Sequence, residues 1–183
     1  MRRVILFIAM SLDGYIAGRN GNVDWLNGQS EQEETPDTYS DFIRDVDTVI
    51  LGWNTYHQIV TELFPSQWVY EGLTSWVITH RQPPPAKDIF FAGENPCDVV
   101  RRLKQEPGKH IWICGGADIV RQLMEADLID DYRISVIPVI LGAGTRLFGT
   151  LPRETKLRLI RTQTGNGITE LFYTRRSLPD TDR

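Results

Sequence analysis

The sequence predicts an α/β fold in three layers: a mixed, mostly parallel sheet of about eight strands flanked by helices. Three observations carry this. Apolar runs of strand length alternate with helical patterns through the middle of the chain. Several of those runs stop abruptly, at glycine or at a small polar cluster, where the next helical pattern opens. The last two runs are separated by Gln163-Thr164-Gly165-Asn166-Gly167, and Asn-Gly is a strong hairpin signal, so the C-terminal edge is expected to be antiparallel.

The elements follow in order. Met1-Arg2-Arg3 before the apolar stretch Val4–Met10 resembles a short signal peptide. No small-residue cleavage site follows, and Ser11-Leu12-Asp13-Gly14 reads as a turn, so Val4–Met10 is expected to be the first strand. Ser11–Pro36 is rich in Gly, Asn, Asp and Glu and shows no regular pattern. A stretch of that length in a compact domain suits a lid, here docking through Trp25 and Leu26. Helix Thr38–Asp45, strand Thr48–Leu51 and helix Asn54–Val60 come next. Glu62–Thr74 is a second irregular stretch, whose Phe64, Trp68 and Tyr70 must cover substrate, a partner subunit or their own domain. Strands are expected at Trp76–Thr79, Ile89–Ala92, Ile111–Cys114, Tyr132–Pro138, Lys156–Thr162 and Ile168–Tyr173. Helix Pro96–Gln105 has clear ends: Asn95 caps it, Pro96 takes the first helical position and Pro107-Gly108 stops it. Helix Asp118–Glu125 is set by the spacing of Ile119, Val120, Leu123 and Met124.

The 183 residues suit one domain, expected over 1–176 with a frayed tail at 177–183. A net charge of -4 gives no general attraction to nucleic acid or anionic membrane. The cluster Arg101-Arg102-Leu103-Lys104 reads as a solvated helix face. No apolar run approaches the ~20 residues of a membrane span. Two cysteines, Cys97 and Cys114, indicate no disulfide framework, and a cytoplasmic location is expected.

The first strand is not followed by GxGxxG, and the chain has no P-loop and no GxSxG elbow. His57, His80 and His110 are widely spaced, with no metal-ligand pattern, so no metal is expected. What remains is a site built from strand ends and turns. At Cys114-Gly115-Gly116-Ala117-Asp118 the missing Cβ atoms let a ligand approach the backbone, and the helix N-terminus favours an anion; close packing of helix on strand would use the same glycines. At Gly52-Trp53-Asn54-Thr55, Asn54 and Thr55 either cap the helix or hold a phosphate. At Thr79-His80-Arg81 a hydroxyl, an imidazole and a guanidinium share one strand end, which suits ribose or phosphate oxygens. Parallel strands end on one side, so the three turns are expected to share one edge.

The order of these pieces resembles the dihydrofolate reductase-like superfamily, in the branch of the riboflavin biosynthesis reductase domain. The matching segments are Ala9-Met10-Ser11-Leu12-Asp13-Gly14-Tyr15-Ile16-Ala17, Gly52–Tyr56, Val77–Thr79, Cys114–Ala117, Leu128–Asp131 and Pro138–Phe148. The resemblance implies NADPH, with NADH as the other possibility, bound across the strand ends. It places the backbone of Ala9 and the side chain of Ile16 beside the nicotinamide. Gly52, Asn54 and Thr55 would meet the cofactor's phosphates, and Thr79, His80 and Arg81 would flank its adenosine end. Gly115, Gly116, Ala117 and Asp118 would cradle the pyrophosphate, and Asp13–Trp25 would close as a mobile loop. Many members of the family carry Arg where this chain has Trp53. Trp53 can stack on adenine but cannot pair with a phosphate, a role left to Arg81. A carboxylate at Asp118 competes with a pyrophosphate unless it turns away; its structural role is with the helix dipole.

The resemblance further implies hydride transfer to a heterocycle of the aminopyrimidine or pterin kind, or to a related carbonyl compound. Dihydrofolate reductases present a first-helix carboxylate to the pterin, and Asp37 lies near that place. Trp25 is a candidate pocket wall, and Phe42 either packs over the substrate ring or belongs to the core. Asp13 sits where riboflavin-type reductases place an aspartate beside substrate, and equally reads as a turn aspartate bonding its own backbone. Relatives commonly form homodimers, with Glu62–Thr74 and the C-terminal strands as candidate contacts. A divergent dihydrofolate reductase and a non-catalytic nucleotide-binding protein are the alternatives.

Overall fold

A computed structural model describes residues 1–35 and 37–176. The frayed tail expected at 177–183 lies outside the described residues. The elements in order are β1 (Val4–Ser11), β2 (Tyr15–Ala17), α1 (Thr38–Ile43), β3 (Val46–Gly52), α2 (Trp53–Gln58), β4 (Thr74–Ile78), β5 (Ile89–Ala92), α3 (Pro96–Gln105), β6 (His110–Gly115), α4 (Ala117–Glu125), β7 (Asp131–Ile137), β8 (Thr145–Arg146), β9 (Leu157–Gly165) and β10 (Ile168–Arg175).

Eight of the strands form one sheet in the order β5-β4-β3-β6-β1-β7-β10-β9. Every pairing from β5 to β7 is parallel, whereas β10 runs antiparallel to both β7 and β9. This is the mixed, mostly parallel sheet the sequence predicts. The hairpin turn is tighter than expected: β9 continues through Gly165, leaving Asn166 and Gly167 as the turn, with φ of 51° and 73°. Both central residues at positive φ match the twist of the flanking strands.

Each sheet face has its own core. One is built from β1, β6 and β7 against α3 and α4, with Val4, Leu6, Ile113, Val120, Leu123 and Tyr132 buried. The other lies against α1 and the long connection after α2, with Ile5, Phe42, Val49, Leu51 and Trp112 buried. α3 starts at Pro96, and its Asn95 side chain accepts from the Cys97 amide at 2.8 Å. The helix after β3 departs from expectation: α2 ends at Gln58, and a π-helical turn carries the chain over Ile59–Leu63. Trp68 and Tyr70 from the following loop pack into the second core, Trp68 donating to Ser75 Oγ at 3.1 Å, while Phe64 stays exposed. Two of the three loop aromatics therefore cover their own domain.

The first long stretch is less irregular than its composition suggests. It contains β2, which pairs antiparallel with β8 in a separate two-stranded sheet. Both strands are too short to leave a periodic signal. Their close approach requires a residue with no side chain, because a Cβ on Gly144 would lie 2.0 Å from the Ala17 carbonyl oxygen.

Candidate functional site

β1 pairs with β6 only from Val4 to Leu6, yet with β7 from Ile5 to Ser11. Beyond Leu6 the two central strands separate, and a cavity of about 1060 Å³ opens at the C-terminal ends of the parallel strands. Such a crevice is where open α/β sheets bind ligands. Ile8 and Ala9 of β1, Gly52 to Thr55 after β3, Thr79 and His80 after β4, and Gly115 to Asp118 after β6 all line it. The three turns do converge. A Cβ placed on Gly116 would stand 3.6 Å from Thr55 Oγ1, so the Thr55 hydroxyl faces the Gly-Gly turn.

Gly115 holds φ at +140°, a region that L side chains rarely adopt. The space beside it is open, with Ile8 Cδ1 3.5 Å from the position of a Cβ. α4 begins at Ala117, and its cap residue Gly116 offers no side-chain acceptor, so the first-turn amides remain for a ligand. Asp118 does not compete for them. Its carboxylate accepts from Arg121 at 2.6 Å and from Gln122 at 2.7 Å, and the Arg121 bond holds its pKa below the usual range. Glu94, the other acid on this wall, is taken by Arg102 at 2.7 Å. Both carboxylates are engaged away from the glycine cradle, so the donor set fits a nucleotide pyrophosphate.

Trp53 lines the cavity, and the Arg81 guanidinium lies 5.1 Å above its ring. Arg81 is therefore held by a cation–π contact beside the wall rather than in it. His80 and Thr79 complete that end, the Thr79 hydroxyl accepting from the Arg81 amide at 3.0 Å.

The lid closes the other side. Ile16, Ala17, Gly21, Val23 and Leu26 line the cavity, and the Gln58 side chain donates to the Gly21 carbonyl at 2.8 Å. Of the two anchors expected from sequence, Leu26 reaches the cavity and Trp25 does not. The Trp25 indole instead donates to the Asn22 carbonyl at 3.2 Å, a bond within the lid.

Three further residues expected to touch substrate lie elsewhere. Asp37 caps α1, accepting from the Ser40 amide at 2.9 Å on the exposed surface, because a free helix N-terminus is the nearest donor to a carboxylate there. Phe42 is 1% exposed and belongs to the core. Phe7 meets it edge-on at 4.6 Å, and Arg133 stacks 5.0 Å from its ring. Asp13 takes the turn role: it accepts from Ser11 Oγ at 2.6 Å and from the amides of Leu141 and Gly142 at 3.1 and 2.7 Å. The Ser11 hydroxyl, aided by those amides, lowers its pKa. Asp13 thereby ties the lid's base to the Gly-rich loop before β8.

Cys114 and Tyr70 are among the cavity residues that the motif reading did not single out as part of the site. They meet at 3.1 Å between thiol and phenol, and burial pushes the Cys114 pKa up to about 11. The sequence offered only an apolar strand end for one and a loop aromatic for the other. Among the described residues no cluster of His, Cys, Asp or Glu suits a metal ion, and no helix is long and apolar enough to cross a membrane.

The comparisons with known proteins agree with this architecture. The family model described as RibD C-terminal domain matches residues 2–169. The chain is 43% identical to YwjB of Bacillus subtilis (strain 168), over 95% of this chain and 98% of that protein. A crystal structure of a Shewanella sp. PV-4 protein named for riboflavin biosynthesis superposes with a TM-score of 0.83 at 25% identity, covering 96% of this chain and 99% of that one. The Thermotoga maritima diaminohydroxyphosphoribosylaminopyrimidine deaminase/5-amino-6-(5-phosphoribosylamino)uracil reductase shares the fold, with a TM-score of 0.69 at 14% identity. The match covers 96% of this chain and 57% of that larger protein. On the family match and the relationship to YwjB, the chain belongs to the RibD C-terminal domain family, with the dihydrofolate reductase-like fold.

Proposed function

We propose that the protein is an NADPH-dependent reductase that delivers a hydride to an aminopyrimidine- or pterin-like heterocycle or a related carbonyl compound. One observation carries this reading. Three parallel strand ends and one helix N-terminus meet in a single cavity, with a side-chain-free cradle and its two nearby carboxylates already engaged. When bound, the nicotinamide cofactor supplies the hydride. The chain supplies position: Gly115, Gly116 and the first amides of α4 hold the pyrophosphate, and Asn54 and Thr55 add donors beside them. Arg81, fixed over Trp53, presents positive charge at the adenosine end and favours NADPH over NADH. Ile8, Ala9 and Ile16 form the apolar wall where the strands part, and Val23 and Leu26 exclude water from above.

The family relationship supports the reaction class, and the uracil reductase activity named for the Thermotoga protein of the same fold suggests the substrate class. The test follows nicotinamide absorbance in the presence of NADPH and a panel of aminopyrimidine ribosides, dihydrofolate and small carbonyl compounds. Turnover of an aminated heterocycle is expected. Saturable NADPH binding without oxidation against any acceptor would instead favour a non-catalytic nucleotide-binding protein. The position of Asp37 outside the cavity disfavours dihydrofolate as the substrate.

We also propose a homodimer. β9 is one of the sheet's two edge strands, and its Leu159 and Ile160 are 52% and 56% exposed. Pairing with a second copy would cover them. Sedimentation should give twice the chain mass; the mass of one chain at working concentration would exclude it.

A further inference from the structure

β10 carries a glutamate whose surroundings neither the fold nor the cofactor reading explains. Glu170 is 4% exposed. One carboxylate oxygen accepts from Ser135 Oγ at 2.8 Å, and the other, Oε2, is buried with no hydrogen-bond partner. Among the described residues no Lys, Arg or His pairs with Glu170. The nearest arginine on that face along β7, Arg133, is stacked between the rings of Phe42 and Phe172. A buried carboxyl group with an idle oxygen is costly, and such groups are rare unless something else satisfies them.

Its place in the sheet says where that partner would come from. Ala9 of β1 faces Ser135 of β7, and Ser135 faces Glu170 of β10, so the three side chains share one row on one face. Ala9 lines the cavity. Neighbouring strands lie about 4.8 Å apart. The bond to Ser135 draws the carboxyl group towards β7, the strand between β10 and β1, so that Ser135 and Glu170 continue the row that Ala9 opens at the cavity lining. The second half of the lid meets the turn into β10: Gln29 and Ser30 donate to Asn166 at 3.0 and 2.9 Å, and the Asn166 amide donates to Thr35 at 3.0 Å. Those bonds fix the lid's second half to the hairpin tip, four residues ahead of Glu170.

We propose that Glu170, oriented by Ser135, is the substrate-recognition carboxylate of this site. It receives the N–H donors of an aminated heterocycle lying against Ala9. The proposal rests on the reductase reading and narrows it. With Ser135 donating to Oε1, the lone pairs of Oε2 are left to accept, which favours a substrate with amino or amidine-like N–H groups over a plain carbonyl compound. Ser135 is a positioning residue: its hydroxyl occupies Oε1 and leaves Oε2 for the ligand.

The test uses diaminopyrimidine as probe, titrated calorimetrically into the full chain with and without NADPH. Glu170→Gln replaces one carboxyl oxygen by an amide nitrogen that cannot accept, at the same shape. It should weaken the probe at least about tenfold, as expected when a buried acceptor is lost, while the NADPH Kd stays within about twofold. Ser135→Ala should weaken the probe less and leave NADPH binding unchanged. Unsubstituted pyrimidine, titrated into the unaltered protein, should bind at least about tenfold more weakly than diaminopyrimidine, which tests the proposal without any folding variant. Equal affinity for the two pyrimidines, or equal probe affinity in well-folded Glu170→Gln, overturns the proposal. Failure of NADPH to bind the unaltered protein is a separate outcome and overturns the reductase reading.

Discussion

Gly115→Ala separates the two uses of the glycine cradle, folding and ligand approach. The added methyl finds room, since its nearest neighbours are Ile8 Cδ1 at 3.5 Å and Thr55 Oγ1 at 3.8 Å. The cost comes from the backbone. A φ of +140° is a glycine conformation, and holding alanine there costs about 1–3 kcal/mol. For a domain of this size, about 2 kcal/mol lowers Tm by about 4–8 °C. The methyl also stands where a pyrophosphate would approach the turn. Losing close backbone contact should raise the NADPH Kd at least about tenfold, or about 1.4 kcal/mol. The assay pairs a thermal melt with tryptophan-fluorescence titration of NADPH, using Gly149→Ala as the control. Gly149 has ordinary φ and nothing within 4 Å of an added Cβ, and it lies off the cavity. A lower Tm with unchanged NADPH affinity would refute the cradle, and an unchanged Tm would refute the backbone argument.

Other outcomes follow from the same structure. Arg2 is 6% exposed and donates to the carbonyls of Lys109 and Leu103 and to Thr48, besides pairing with Asp47. Because Asp47 keeps partial access to water, Arg2→Met should cost about 3 kcal/mol in urea unfolding, the low end for a broken buried pair, and a loss below about 0.5 kcal/mol would contradict this. Asp13 has a lowered pKa in the folded chain, so its support of the lid base is present above the ordinary aspartate value of about 3.9 and is lost as pH falls through the lower folded value. The stability difference between Asp13→Asn and the unaltered protein should therefore be full near pH ~6 and shrink below pH ~3; a difference independent of pH would assign Asp13 no charge-dependent role. With its pKa near 11, Cys114 is thiolate in only about one molecule per thousand at pH ~8. Iodoacetamide should label it far more slowly than a free thiol, and rapid labelling would contradict the raised pKa.

The strands were legible because β3, β5 and β6 are largely apolar and stop where a glycine or a polar cluster opens a helix. Pattern and turn chemistry point the same way at Val49–Gly52 and Ile111–Gly115. β2 and β8 left no trace, since two or three residues cannot show a period. Phe42 stayed ambiguous for a different reason: one helix face serves core and ligand alike, and only the packing of Phe7 and Arg133 around it decides. Asp37 shows a local interaction prevailing over a distant one, its carboxylate spent on the nearest free amide. Glu170 was passed over although the strand period places it on the same face as Ile168 and Phe172, because only the packing shows that this face of β10 is buried. The cavity's convergence was readable from the rule that parallel strands end together, whereas the engagement of Asp118 by Arg121 depends on side-chain geometry.

The central claim is that the crevice between β1 and β6 holds a reduced nicotinamide nucleotide along the Gly115–Gly116 turn. Calorimetric titration of the full chain with NADPH, and in parallel with NADH, tests it most directly. The account predicts saturable binding of one NADPH per chain, tighter than NADH, and weakened at least about tenfold in Gly115→Ala. No saturable heat with either nucleotide at millimolar concentration would contradict it.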